Sequence, residues 1–389
     1  MRCSIIASAL IIASAPLGAV EFQGELGIDH RYFTEKGQFG QGQNQTSFSI
    51  SPELYWENND GDVSFLFKPF YRRDNLDGAR SHGDIREAML TYYSDNYEWK
   101  AGIGKVFWGV TESQHLVDVI NQSDFVESID GEVKLGQPML SLGAETETGF
   151  WEVFVLPYFR ERTYADKEGR LSLPGFAELT TRYESSREEQ HTDIAVRYTT
   201  SFGDTDLGLS AFKGTNRDPF LQPSVVNGQV VPSLYYAQMT QFGVDLQTIT
   251  GSWLWKLEAI TRDSLENHHA LVAGFEYSMV TDTGYDVGLL AEYLYDDRDG
   301  KNQVIWQNDI FAGIRWALND VDGTELLVGG TVDTEDSDST MLSVEASGRI
   351  NNSLSWNLTA GLFNSSDPTD PLVSLKQDDY VELGLRYYF

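Results

Sequence analysis

Apolar and polar residues alternate with a period of two along most of this chain. In the first run Phe22, Leu26 and Ile28 share a face opposite Gln23, Glu25 and Asp29. Phe48, Ile50, Leu54 and Trp56 then oppose Ser47, Ser49, Ser51 and Glu53, and Val63, Phe65, Phe67 and Tyr71 follow the turn residues 58–61. The second half is more regular. Trp253, Trp255, Leu257 and Ala259 alternate with Lys256, Glu258 and Arg262, and Leu271, Ala273, Phe275 and Tyr277 with Gly274 and Glu276. Tyr285, Val287, Leu289, Ala291 and Tyr293 alternate with Asp286, Gly288 and Glu292. Successive side chains of a strand point to opposite faces, so each run predicts a strand with one apolar and one polar face.

A soluble sandwich alternates in the same way. Two features favour a barrel in lipid. The runs mostly reach about 10 residues, the length of a tilted spanning strand. Their connections also sort by parity. Counting from the N-terminus gives about 18 strand candidates, an even number. Links after even strands are tight: residues 58–61, 94–98, 145–149, 202–205, 248–252, 281–284, 318–323 and 351–352. Links after odd strands are often long: 35–44, 109–137, 160–189, 215–233, 296–302 and 364–377. Short turns on the periplasmic rim and long loops outside produce this sorting; a sandwich has no reason to. The expected fold is all-β, an antiparallel transmembrane β-barrel. Trp253, Trp255, Trp316, Trp356, Tyr387 and Tyr388 near strand ends are read as an aromatic girdle.

The ends and the composition agree with export. Arg2, the apolar run 5–15 and the small-residue exit before Ala19 read as a signal peptide over residues 1–19, leaving 20–389 for the barrel. The single cysteine, Cys3, leaves with it, so no disulfide and no thiol chemistry is expected. The 28 Lys and Arg face 59 Asp and Glu, a net −31 that becomes −32 once Arg2 is removed. That acidity excludes nucleic acid as a partner. With 13% aromatic residues and a mean hydropathy of −0.33, the chain is neither disordered nor a bundle of membrane helices.

The last segment, 380–389, carries Val381, Leu383, Leu385, Tyr387 and Phe389 on one face. It resembles the terminal strand of Gram-negative outer-membrane proteins, in which a final Phe belongs to the assembly signal; Tyr387 and Phe389 are assigned to it. The segment 103–140 departs from the general pattern. It reads Gly104-Lys105-Val106-Phe107-Trp108-Gly109, then Asp118-Val119-Ile120-Asn121-Gln122-Ser123-Asp124, then a return through Lys134 to Pro138. Over about forty residues this resembles uncharacterised proteobacterial porin-like proteins, which follow a Gly-Lys/Arg…Trp-Gly strand with an Asp-x-x-Asn-x-x-Asp stretch and a Pro-containing return. The resemblance implies the Gram-negative outer membrane and a role in transport. Implied surroundings are outer-membrane lipid and lipopolysaccharide, the barrel assembly machinery and small solutes.

A loop carrying Leu116, Val117, Val119, Ile120 and Phe125 should not hang in water. Folding inward would bury these residues and leave Lys105, Trp108, Asp118, Asn121 and Asp124 at a constriction. The polar strand faces place Glu25, Asp29, Arg31, Arg197, Asp245, Glu276, Glu292, Arg315 and Arg386 on the lumen, with Glu53, Asp193, Asp286, Glu345, Lys100, Lys256 and Arg349. An acidic excess there favours cations and neutral polar solutes.

No catalytic constellation accompanies the six histidines, His30, His82, His115, His191, His268 and His269. The acidic turns around Asp297-Asp299-Gly300 and Asp320-Asp322-Gly323 lack calcium-loop spacing. Neither an enzyme, a metal nor a cofactor is expected. The sequence points to a porin-like channel for small polar or cationic solutes. An export or lipid-transfer conduit, and a closed structural or adhesive barrel, stay open as alternatives.

Overall fold

The computed structural model describes residues 19–171, 179–226, 229–298 and 306–389. The leader assigned to residues 1–19 lies outside these, apart from Ala19, and so does the Asp299-Gly300 turn. The first strands are β1 (Ala19–Phe33), β2 (Asn44–Glu57), β3 (Val63–Asp74), β4 (Gly83–Ser94), β5 (Tyr97–Gly104), β6 (Gln137–Thr146) and β7 (Gly149–Leu156). They are followed by β8 (Thr180–Tyr183), β9 (Asp193–Phe202), β10 (Thr205–Thr215), β11 (Phe220–Val226), β12 (Gln229–Tyr236), β13 (Gln238–Thr250) and β14 (Trp253–Asp263). The last are β15 (His268–Val280), β16 (Asp286–Asp296), β17 (Asn308–Ala317), β18 (Glu325–Asp333), β19 (Thr340–Asn351), β20 (Leu354–Asn364) and β21 (Tyr380–Tyr388).

All but β8, β11 and β12 form one 18-stranded sheet, antiparallel between chain neighbours. It closes on itself: Ile28 of β1 pairs with Phe48 of β2 on one side and with Leu385 of β21 on the other. Closure leaves no strand edge, the condition for crossing a membrane with strands. The parity of the connections holds, with one refinement. The long link between β10 and β13 contains its own hairpin, β11 and β12, to which β8 adds in parallel.

Burial is inverted relative to a soluble protein. Phe22, Leu26, Phe48, Leu90, Leu140, Phe242, Leu289, Ile310, Leu342 and Leu383 lie exposed on the outer face. Asp29, Arg72, Glu258 and Glu292 are buried within. Lipid, not water, covers the first set. Trp253 and Trp255 stack at 5.4 Å beside a short turn, with Trp316, Trp356 and Tyr387 at the same rim.

Candidate functional site

Residues 105–136, between β5 and β6, do not leave the barrel. Leu116, Val117, Val119 and Ile120 are buried in one cluster with Phe154, Phe212, Ile260, Val272, Leu290 and Leu294 of the wall. Each such side chain removed from water contributes about 1.5–3 kcal/mol, which an external loop would forgo. Trp108 packs edge-on against Phe154 at 5.8 Å, with the Arg197 guanidinium 5.0 Å over its ring. Phe125 stays half-buried, edge-on to Tyr164 and under Arg162.

Wall carboxylates then clamp the loop backbone. Glu258 of β14 accepts from the N–H groups of Val110 (2.7 Å), Thr111 (3.1 Å) and Val117 (3.2 Å) and from the Thr111 hydroxyl. Glu292 of β16 accepts from the Glu112 and Ser113 N–H groups, both at 2.8 Å, and from the Ser113 hydroxyl. Arg217, beyond β10, donates to the carbonyls of Val119 and Ile120 while paired with Asp193. At the loop edge His115 Nε2 lies 3.0 Å from Glu132. Burial lowers the affinity of His115 for its proton, but Glu132 and Glu258 more than reverse this and lift it to about 10.

This architecture corrects the expected constriction. Asp118 and Asp124 have side chains 0% exposed and face no open space. Asp118 pairs with Lys134 at 3.1 Å, and burial pushes it above the usual carboxylate range. Asp124 pairs with Arg86 at 2.7 Å and accepts from the Thr163 hydroxyl. Burial opposes its ionisation, yet His82 and Arg86 prevail and hold it at about 2. Asn121 is a clasp: it accepts from Val106 N–H and donates to the carbonyls of Gly104 and Leu135. Trp108 is buried too, so of the five expected constriction residues only Lys105 is exposed. An Asp-x-x-Asn-x-x-Asp stretch inside a folded loop serves the fold of that loop first.

The expected lumen charges are largely engaged with one another. Arg386 reaches Asp29 (2.6 Å) and Glu25 (3.2 Å), and Arg72 also pairs with Asp29. Arg31 pairs with Glu382, and Arg197 with Asp245. Glu292 is held by loop amides, Arg315 reaches Glu112 at 2.7 Å, and Glu276 lies over Gly288. Among the described residues, no three His, Cys, Asp or Glu side chains are grouped to hold a metal ion.

Between the loop edge and β17–β21 the inside of the barrel is not fully packed. Two adjoining cavities of about 300 Å³ each share Glu112, Leu327, Glu345 and Thr359 in their linings. The loop contributes Glu112, His115, Asp130 and Glu132; β19 contributes Glu345. Glu112 is neutralised by Arg315 and Glu132 by His115. Asp130 is bonded to the Ser128 hydroxyl and the Glu132 N–H, and Glu345 is exposed; neither has an ion-pair partner among the described residues. Sequence reading placed Glu345 on a polar face but had no signal to single it out, because the loop edge opposite it lies over 200 positions away.

No family model matches the chain, and no curated protein matches it. Solved structures do. OpdQ of Pseudomonas aeruginosa superposes with a TM-score of 0.54 at 11% identity, over 95% of this chain and 97% of that one. The fold is that of an outer-membrane barrel. Together with the lipid-facing belt, it places the chain in the outer membrane of a Gram-negative cell. OmpT of Vibrio cholerae (TM-score 0.46, 11% identity, 98% of this chain and 100% of that one) and a mutant Rh. blastica porin (0.47, 13%, 95% and 100%) are also similar.

Proposed function

We propose that the chain is a porin-type channel through which small polar or cationic solutes diffuse, with its selectivity set between the inward loop and β17–β21. The observation that carries this reading is the pair of adjoining cavities that meet at Glu112 and Glu345. Low-dielectric walls focus the field of charges at a narrow point, so Asp130 and Glu345, without an ion-pair partner among the described residues, attract cations and repel anions. Elsewhere on the inner face Asp29, Glu382 and Asp245 are paired with arginines, and Glu258 and Glu292 are enclosed by loop amides. The test is the reversal potential in planar bilayers under a salt gradient. Parent barrels should prefer cations, and Asp130→Asn with Glu345→Gln should reduce that preference, most at low salt. Asp166→Asn with Glu168→Gln, on an outer loop, should do much less, since at 0.15 M the Debye length is about 8 Å. A folded parent that conducts nothing, or equal effects from both double variants, overturns the reading.

A further inference from the structure

Of the two adjoining cavities, the more extensively lined has two unlike sides. The inner face of a water-filled barrel is expected to be polar, yet here β17–β20 present Phe311, Leu327, Met341 and Phe363 inward, with Tyr380 beside them from β21. The inward loop covers this strip only in part: Ile129 of the loop and Trp306 pack at its edge and line the same cavity. Phe311 and Phe363 are buried by their neighbours, while Leu327, Met341 and Tyr380 remain half-buried along the cavity. Acid and hydrocarbon are adjacent in the register: Leu327 pairs with Glu345 on one side and with Arg315 on the other. Asp130, Glu112 and Glu132 of the loop line the same cavity as Glu345, so the carboxylates converge on one space.

The cations nearest this space are already taken, Arg315 and Lys256 by Glu112 and His115 by Glu132. An anionic group would therefore meet uncompensated acid. A bare metal cation would leave the apolar strip unused, and a neutral solute would leave the acids unused. A cavity of about 300 Å³ is the size of a modest small-molecule site.

We propose that this cavity binds amphipathic amines: molecules with a protonated amine for the Asp130–Glu345 side and a hydrocarbon or aromatic body for the Leu327–Met341–Tyr380 strip. The proposal deepens the channel reading and rests on it for transport, though not for binding. The amine is attracted by charge and retained by apolar contact, so affinity depends on both ends of the molecule.

The experiment uses the full barrel, its folded state confirmed by heat-modifiable gel mobility. Ethylamine, butylamine and hexylamine, with hexanol and hexanoate as controls, are titrated calorimetrically in detergent and as blockers of single-channel current. Affinity should rise by roughly twofold per methylene, part of the full burial value, and both controls should fail to bind. Glu345→Gln with Asp130→Asn should weaken hexylamine by about tenfold, a loss of one strong charge contact. Met341→Ser should flatten the dependence on chain length. Amine binding without conductance would support the site and overturn the channel. Conductance with no chain-length dependence in binding or block would leave the channel standing and overturn the site, as would hexanoate binding as well as hexylamine.

Discussion

Thr111 hangs from Glu258 by both of its donors: its hydroxyl lies 2.7 Å and its N–H 3.1 Å from the same carboxylate oxygen. One residue belongs to the barrel wall and the other to the inward loop. A charged acceptor buried at 0% exposure is tolerable here because four loop donors surround it. The wall thus supplies the anchor, and the loop supplies the groups that make burying that anchor affordable.

Glu258→Ala removes the acceptor of the Val110, Thr111 and Val117 amides together. Unsatisfied buried donors cost about 1–3 kcal/mol each, so the loop should detach locally while the barrel stays closed. We expect larger, noisier single-channel currents with gel mobility of the folded form retained. Glu258→Gln, which keeps one acceptor oxygen, should give a smaller change. Parent-like conductance in Glu258→Ala would refute the clamp.

The His115–Glu132 contact makes the loop edge sensitive to alkali. His115 holds its proton to about 10, above its ordinary 6.5, so the stabilisation it provides is complete below 6.5 and disappears as pH rises through 10. Glu132 is held below its ordinary 4.5 despite burial, because His115 bonds to it, so its share is present above 4.5 and is lost as pH falls beneath that value. Current noise should be lowest near neutral pH and should grow towards pH 10. His115→Gln should be noisier near neutrality and lack the alkaline increase. The same alkaline rise in that variant would rule out His115 as its source.

Fold and site were not equally legible. Alternation and loop parity could be read directly because lipid imposes the same demand on every strand, as Leu26 to Ile28 and Leu289 to Tyr293 illustrate. The inward loop was legible from Leu116, Val117, Val119 and Ile120, which had nowhere else to be buried. The roles of Asp118, Asn121 and Asp124 were not, because each is decided by a partner brought in by folding: Lys134, the Gly104 and Leu135 carbonyls, and Arg86. For the same reason Glu292, a lumen charge by periodicity, is engaged by the Glu112 and Ser113 amides.

Asp124 and Glu345 should therefore differ in kind. Breaking a buried pair costs up to about 3–5 kcal/mol, so Asp124→Asn, which removes the 2.7 Å partner of Arg86 but leaves its 3.2 Å contact with Asp84, should lower thermal stability by part of that. It should leave ion selectivity almost unchanged. Glu345→Gln should do the reverse. Reversal potentials and thermal melts of the two single variants decide the matter, and a selectivity loss in Asp124→Asn as large as in Glu345→Gln would restore Asp124 to the constriction.

The seam between β1 and β21 gives the last prediction. Phe389 and Gly24 exchange two backbone hydrogen bonds, at 3.0 and 3.1 Å, and the Phe389 ring lies 5.9 Å from that of Phe22. Gly24 makes room for this packing: a Cβ there would lie 2.5 Å from the tip of the Phe389 ring, which would have to shift. Deleting Phe389 removes both bonds and the ring contact at the place where the sheet must close. The folded, heat-modifiable fraction should fall sharply. Gly24→Val should reproduce part of the loss by displacing the ring, whose tip lies over Gly24. Full folding yield after Phe389 deletion would mean that the seam closes without it.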